Sequence, residues 1–214
     1  AGLQIASRLK AQTSGMTVAM RNTANSTSML QTAEGALDEV SNMLIRMKDL
    51  ATQAADASST DDDKTAMQSE YDALGRELSN VMNNTTFGGN KLLVGGTVAA
   101  AMTFQIGASA SETMSINLST DLTTLGTQLG SASSNYTTAA TGTELTSAAN
   151  ATITKLETAL NSVGKVRSGL GAAANRLEHV YNNLSNISTN TKSATGMIMD
   201  VDFASESANM TSNQ

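Results

Sequence analysis

The chain has few side chains able to carry chemistry. Cysteine is absent and His179 is the one histidine. That excludes a disulfide framework, a thiolate metal site, a cysteine nucleophile and any multi-histidine metal site. His179 has only Glu178 and Glu157 as nearby acids in sequence, so no catalytic triad can be assembled around it; it reads as a surface helix residue. Asp61, Asp62 and Asp63 raise the question of a hard cation. A calcium loop needs alternating oxygen ligands, a glycine and a closing glutamate. Three consecutive acids instead suit the positive end of a helix dipole without a metal. The stretch "GLGAAA" at Gly169–Ala174 matches a loose dinucleotide-binding pattern. That pattern requires a strand before it and a helix opening at it, whereas helical period runs on both sides here. The 12 methionines fall mostly at apolar seam positions and read as core. The several Asn-x-Ser/Thr tripeptides follow from composition and say nothing about glycosylation. Neither a cofactor nor a metal is expected, and an enzyme would need a pocket of clustered titratable groups that the sequence does not supply.

One constellation is harder to set aside. Arg46, Leu50 and Gln53 follow i, i+4, i+7, one residue off the apolar seam, so they share a helix face. Leu50 then lies at the margin of the core beside an arginine, and Glu70 on the next helix stands nearby. Arginine, leucine and glutamate on one exposed face resemble an interface hot spot with a polar rim. The plain alternative is an Arg46–Glu70 contact within the bundle, worth under about 1 kcal/mol.

The elements that must position these residues are written in the apolar spacing. The chain has 214 residues, no proline and a formal net charge of −6. Without proline, helices can run long. The acidic balance argues against a phosphate-binding face, and aromatics at 3% leave little to stack on bases. Nucleic acid is therefore not an expected partner. No apolar run approaches the roughly 20 residues of a bilayer span. Both ends read as interrupted helices, so the chain is expected to be a piece of something longer.

A first helix is expected from about Leu3 to Ala55. Leu37, Val40, Leu44, Met47, Ala51 and Ala54 step by 3 and 4 as a heptad seam. A helix of about 50 residues is about 75–80 Å long, which predicts an elongated fold. A second helix is expected from Asp61 to about Asn83, opened by a Thr60–Asp63 capping box, with Met67, Tyr71, Leu74, Leu78 and Val81 inward. The short link makes the two antiparallel neighbours. Alternation at Met102, Phe104, Ile106 and at Met114, Ile116, Leu118 predicts a β-hairpin, and Lys91–Val94 a further strand. Ser119–Ala149, rich in Thr, Ser, Gly and Ala, predicts turns and at most a short helix. A third helix is expected over Ala151–Thr195, with Ile153, Leu156, Leu160, Val163, Leu170, Leu177, Leu184 and Ile187 on its seam. Gly164, Gly169 and Gly171 weaken it by up to about 1 kcal/mol each. The fold class is thus mainly α: an elongated three-helix, coiled-coil-like rod with a small β-hairpin region at one end. One domain is expected, with residues 1–98 as two helices plus turn, 99–149 as hairpin and variable insertion, and 150–214 as the closing helix.

These segments together resemble a family. "QTAEGALDEVSNMLIRMKDLATQAAD" (Gln31–Asp56) is similar to the flagellin N-terminal helical motif. "NNTTFGGNKLL" (Asn83–Leu93), "MTFQIGASASETMSINL" (Met102–Leu118), "VRSGLGAAANRLEHVYNNLSN" (Val166–Asn186) and "MDVDFASESANM" (Met199–Met210) resemble its later turn, hairpin, C-terminal helix and terminal boundary. The resemblance implies the subunit of the bacterial flagellar filament, a structural protein of motility. Such a subunit leaves the cell through the flagellar type III apparatus and assembles outside it with other flagellin subunits. It further implies a middle, D1-like helical domain with both terminal segments removed, monomeric and unable to polymerise. Many flagellins are also recognised by Toll-like receptor 5, through a central Arg, a Leu one turn on and a Glu on the second helix. Arg46, Leu50 and Glu70 match those positions, and Gln53 an adjacent contact. Met67 replaces a family isoleucine. Ile45 is a departure, because recognised members tend to carry Gln there. The alternative within the family is a hook–filament junction protein, which shares the helical ends.

Overall fold

The computed structural model describes residues 1–212. Five α-helices and two short β-sheets follow one another: α1 Gly2–Ala55, α2 Asp61–Asn84, β1 Thr86–Phe87, β2 Asn90–Lys91, β3 Met102–Gln105, β4 Thr113–Ile116, α3 Ser119–Ala132, α4 Glu144–Ser147 and α5 Ala149–Ser212. The class is mainly α with small antiparallel hairpins, as the spacing predicts. The chain divides into two compact units. The first comprises Ala1–Ser28, Thr103–Ser115 and residues 174–214; the second comprises Met29–Met102 and Ile116–Ala173.

The second unit holds the larger core. Along α1, Leu30, Ala33, Leu37, Val40, Leu44, Met47, Ala51 and Ala54 are buried, one at each step of the heptad seam. In α5 the buried row is Leu156, Ala159, Val163, Val166, Leu170 and Ala173. Ile153 and Leu160, expected inward, are only half-buried. Two of the six buried residues are alanines, which leave room for a close approach. Gly169 is part of that closeness: an added Cβ would fall 2.7 Å from Leu118 Cδ2. The glycines of "GLGAAA" therefore belong to the middle of α5, and the strand that a dinucleotide motif needs before it is not there.

Helix α2 begins as the spacing predicts. Thr60 Oγ1 accepts from Asp63 N at 3.1 Å, and Asp63 Oδ2 accepts from Thr60 N at 3.1 Å, satisfying two otherwise orphaned donors. Its inward row differs from expectation. Leu74 and Val81 are half-buried, while Tyr71, Gly75, Leu78 and Met82 line the core with the polar Gln68 and Asp72. After α2, β1 and β2 pair antiparallel with Thr86 opposite Lys91 and Phe87 opposite Asn90. Gly88 (φ 58°) and Gly89 (φ 83°) form the turn, a two-residue left-handed link that glycine adopts without a Cβ clash. The strand expected over Lys91–Val94 stops at Lys91: Leu92 and Leu93 are both fully buried, and Val94 N donates to the Met82 carbonyl at 3.1 Å in place of a strand partner.

Ser119–Ala149 is the larger correction. In place of turns it forms the 14-residue α3, a 3-10 turn at Ser134–Tyr136 and α4. Leu122, Leu125, Leu129 and Ala132 are buried at helical spacing, a seam diluted in sequence by threonine and glycine.

The first unit has a thinner core. Met16, Ala19 and Leu184 form one buried cluster, with Met20 and Val180 packed against it. Thr13, Thr23, Ser188 and Thr195 are also buried. Three of these hydroxyls donate to the carbonyl one turn back: Thr13 to Leu9 at 2.9 Å, Thr23 to Ala19 at 2.7 Å and Thr195 to Thr191 at 2.9 Å. Ile187, expected on the seam, is exposed, and α5 continues past Thr195 to Ser212. Gln105 Nε2 closes the β3–β4 loop by donating to the carbonyls of Gly107, Ser109 and Glu112.

Candidate functional site

Of the four residues singled out on α1 and α2, three are exposed and one is buried. Arg46 lies one position off the seam and points outward. Its Nη2 donates to Glu70 Oε1 at 3.0 Å and Oε2 at 2.8 Å, with Nε at 3.3 Å from Oε1. This is a bidentate, planar pair, with side chains 52% and 46% exposed. At that exposure its own stabilising contribution is under about 1 kcal/mol. Gln53 is exposed. Leu50 is not: it is 3% exposed and belongs to the core, because i+4 from Arg46 rotates it back toward the seam. Ile45, beside Arg46, is the exposed apolar residue at 48%. The surface is therefore a fixed guanidinium–carboxylate fork, a glutamine amide and an isoleucine, with Leu50 beneath. On the α5 side of α1, Lys48 pairs with Glu157 at 3.3 Å and Arg167 with Asp38 at 3.2 Å.

On the other side of α2 lies a polar cluster that the spacing did not single out. Asp72 Oδ1 accepts from Gln68 Nε2 at 2.8 Å and Asn135 Nδ2 at 2.9 Å, and Oδ2 accepts from Gly142 N at 3.0 Å. Gln68 Nε2 also donates to Glu144 Oε2 at 2.6 Å, and Gln68 Oε1 accepts from Leu145 N at 2.6 Å. Glu144 Oε1 accepts from Ser134 N at 2.8 Å and Oγ at 2.9 Å. Burial raises the Glu144 carboxyl, but the hydrogen bonds from Ser134 and Gln68 outweigh it and hold it below the usual range. Tyr71 donates its hydroxyl to the Ala132 carbonyl, and burial, with the charges of Glu144 and Asp72, pushes its phenol up. A hint existed in sequence: Gln68 and Asp72 are four apart and flank Tyr71, an arrangement that places two polar groups on the buried side of a helix.

His179 is exposed on α5. Among the described residues, no three His, Cys, Asp or Glu side chains stand where they could hold a metal ion. Among the described residues no helix is long and apolar enough to cross a membrane.

In the first unit the ends of α1 and α5 carry large exposed apolar side chains. Leu3 is 63% and Phe203 74% exposed, and Ile5, Met197, Val201 and Met210 are exposed with them. Leu3, Met199 and Phe203 line a groove of about 550 Å³ with Asp202, Ser205 and Glu206.

Two family models match the chain: the bacterial flagellin N-terminal helical region over residues 1–98, and the bacterial flagellin C-terminal helical region over residues 153–214. A flagellin of Halalkalibacterium halodurans is 37% identical over 207 residues, covering 96% of this chain and 72% of that protein. The chain belongs to the bacterial flagellin family. Polar flagellin F of Vibrio parahaemolyticus is 45% identical over 130 residues, 61% of this flagellin-family chain and 34% of the relative. The chain thus spans most of one relative and about a third of the other. The crystal structure of Bacillus cereus flagellin superposes with a TM-score of 0.61 at 30% identity, covering 77% of this chain and 88% of that one. A putative flagellar hook-associated protein from Vibrio parahaemolyticus shares the fold, with a TM-score of 0.55 at 17% identity over 92% of this chain and 93% of that one. One expectation is corrected: the regions matched are the family's N-terminal and C-terminal helical regions, over residues 1–98 and 153–214, and not a middle domain. The helices α1 and α5 of those regions run to Gly2 and Ser212.

Proposed function

We propose that this chain acts as a structural subunit of the extracellular flagellar filament, in motility, after export through the flagellar type III apparatus. The observation that carries the reading is the exposed apolar surface on the terminal helices. Leu3, Ile5, Val201 and Phe203 lie in the two flagellin-matched regions, and contiguous apolar surface of this kind marks a face that another protein covers. The cover is a second copy of the chain. This chain by itself is expected to sediment as a monomer at micromolar concentration, and the full-length protein to pellet when sheared filament seeds are added. In the full-length protein Phe203→Ser and Leu3→Ser should abolish pelleting while circular dichroism stays unchanged. Full-length protein that stays in the supernatant with seeds, or stable oligomers of this chain alone, sinks the proposal.

The same molecule is read as a ligand of Toll-like receptor 5 through Arg46, Gln53 and Glu70, with Leu50 as the packing beneath them. The geometric support is the bidentate Arg46–Glu70 pair, which holds a charged, planar donor in one orientation without further loss of side-chain entropy. Arg46→Ala should weaken binding to the receptor ectodomain more than tenfold, over about 1.4 kcal/mol. Leu50→Ala should act through stability alone. An unmutated chain that does not bind would remove the receptor reading and leave the filament reading standing, with Ile45 as the first residue to restore to Gln.

A further inference from the structure

We infer that residues 133–147 form an acid-released strap, latched onto α2 by a pair of carboxylates that share one glutamine amide. The strap runs from the end of α3 through the Ser134–Tyr136 turn to α4, and most of its side chains are exposed. Ser133, Asn135 and Leu145 are its buried anchors. Nearly every other tie to α2 is polar and converges on Gln68 and Asp72.

The donor–acceptor arithmetic makes the latch sensitive to protons. Both oxygens of Asp72 face N–H donors, from Gln68, Asn135 and Gly142. Glu144 accepts from Gln68 on one oxygen and from Ser134 on the other. The two hydrogens of Gln68 Nε2 are divided between these carboxylates, and Gln68 Oε1 is taken by Leu145 N. An added proton on either carboxyl therefore sets an O–H against N–H groups, and a buried polar group left unmatched destabilises the state that holds it. The donors are all neutral. Arg76 enters one residue removed, donating from Nη1 to Asn135 Oδ1 at 3.1 Å. The other titratable groups facing the strap are Tyr71 on α2, Tyr136 in the strap itself, Lys155 of α5 beside Glu144, and Lys64 of α2 beside Leu145. Gly142 permits the closure: an added Cβ would lie 2.3 Å from Glu144 Oε2 and 2.7 Å from Asp72 Oδ1.

The sign follows from the depressed Glu144 carboxyl. A group whose folded value is lowered stabilises the folded state above its ordinary range and ceases to do so as pH falls through the lowered value. The strap is thus closed at neutral pH and opens below the ordinary glutamate value of 4.5, uncovering Tyr71 and Leu145 while α3 and α5 stay folded.

Hydrogen–deuterium exchange on the whole chain tests this, with α5 amides in the same sample as the reference for global folding. After correction for intrinsic rates, amides of 135–147 should lose protection between pH 7 and about pH 3.5, with α5 amides unchanged. E144Q and D72N should both open the strap already at pH 7, because each replaces an acceptor oxygen with an N–H donor, and E144Q should flatten the pH dependence. G142A should open it at pH 7 by displacing both carboxylates. Strap protection that stays constant down to pH 3.5, or that is lost only together with α5, overturns the inference. So does an E144Q strap that remains closed at neutral pH and still opens in acid.

Discussion

At the scale of single residues, the packing turns on where a Cβ has room. Gly75 faces the strap: an added Cβ would stand 2.1 Å from Ser133 Oγ and 3.1 Å from Asn135 Cβ. The Ser133 hydroxyl is buried with no hydrogen-bond partner among the described residues. Gly75→Ala should therefore destabilise by about 1–3 kcal/mol through overpacking. Gly164 is the opposite case, a helical glycine with nothing within 4 Å. Gly164→Ala should stabilise by up to about 1 kcal/mol, because alanine loses less backbone freedom on entering a helix. Urea titrations of the two variants check both signs. A destabilised Gly164→Ala would contradict the open space around that glycine.

At the scale of elements, the helix starts and seams were legible because their signals are local. The Thr60–Asp63 capping box was readable from two residues three apart, and both of its hydrogen bonds are present. Thr60→Ala should cost about 1 kcal/mol, with the loss appearing as faster exchange confined to the first turn of α2. Uniform loss along α2 would contradict a cap-specific role. The α1 seam was equally plain, since eight buried residues repeat its step. Leu50 was misplaced for a related reason: one position off a heptad seam is a boundary, and only the neighbours decide which way it turns. The α3 helix was hidden by composition. Its leucines keep helical spacing, but threonine and glycine between them lower the propensity that a sequence reading leans on. Least legible was the strap, because Asp72, Asn135 and Glu144 come together over a separation of 72 residues, and polar contacts at that range leave no periodic trace.

At the scale of the whole molecule, the two compact units differ in what holds them. The second buries leucine, methionine and tyrosine in quantity, with Leu125, Leu129 and Tyr71 fully enclosed. The first buries Met16, Ala19 and Leu184 in one cluster, with Phe104, Met114 and Leu177 also enclosed, and is extended by threonines whose hydroxyls are satisfied within their own helices. Apolar area removed from water is the main favourable term in each, so the units should not share one melting point. Calorimetry should resolve two transitions, the first unit below the second. Leu184→Ala should lower the first and leave the second in place. Leu125→Ala should lower the second by about 2–5 kcal/mol, the usual cost of a cavity at a fully enclosed leucine. A single transition displaced equally by both variants would show that α1 and α5, which contribute residues to both units, couple them more strongly than their separate cores divide them. If two transitions appear, seeded assembly supplies a sharper reading of the same difference. A partner that covers Leu3 and Phe203 binds only the folded first unit, so by mass action it should raise the lower transition and leave the upper one where Leu125 and its neighbours set it.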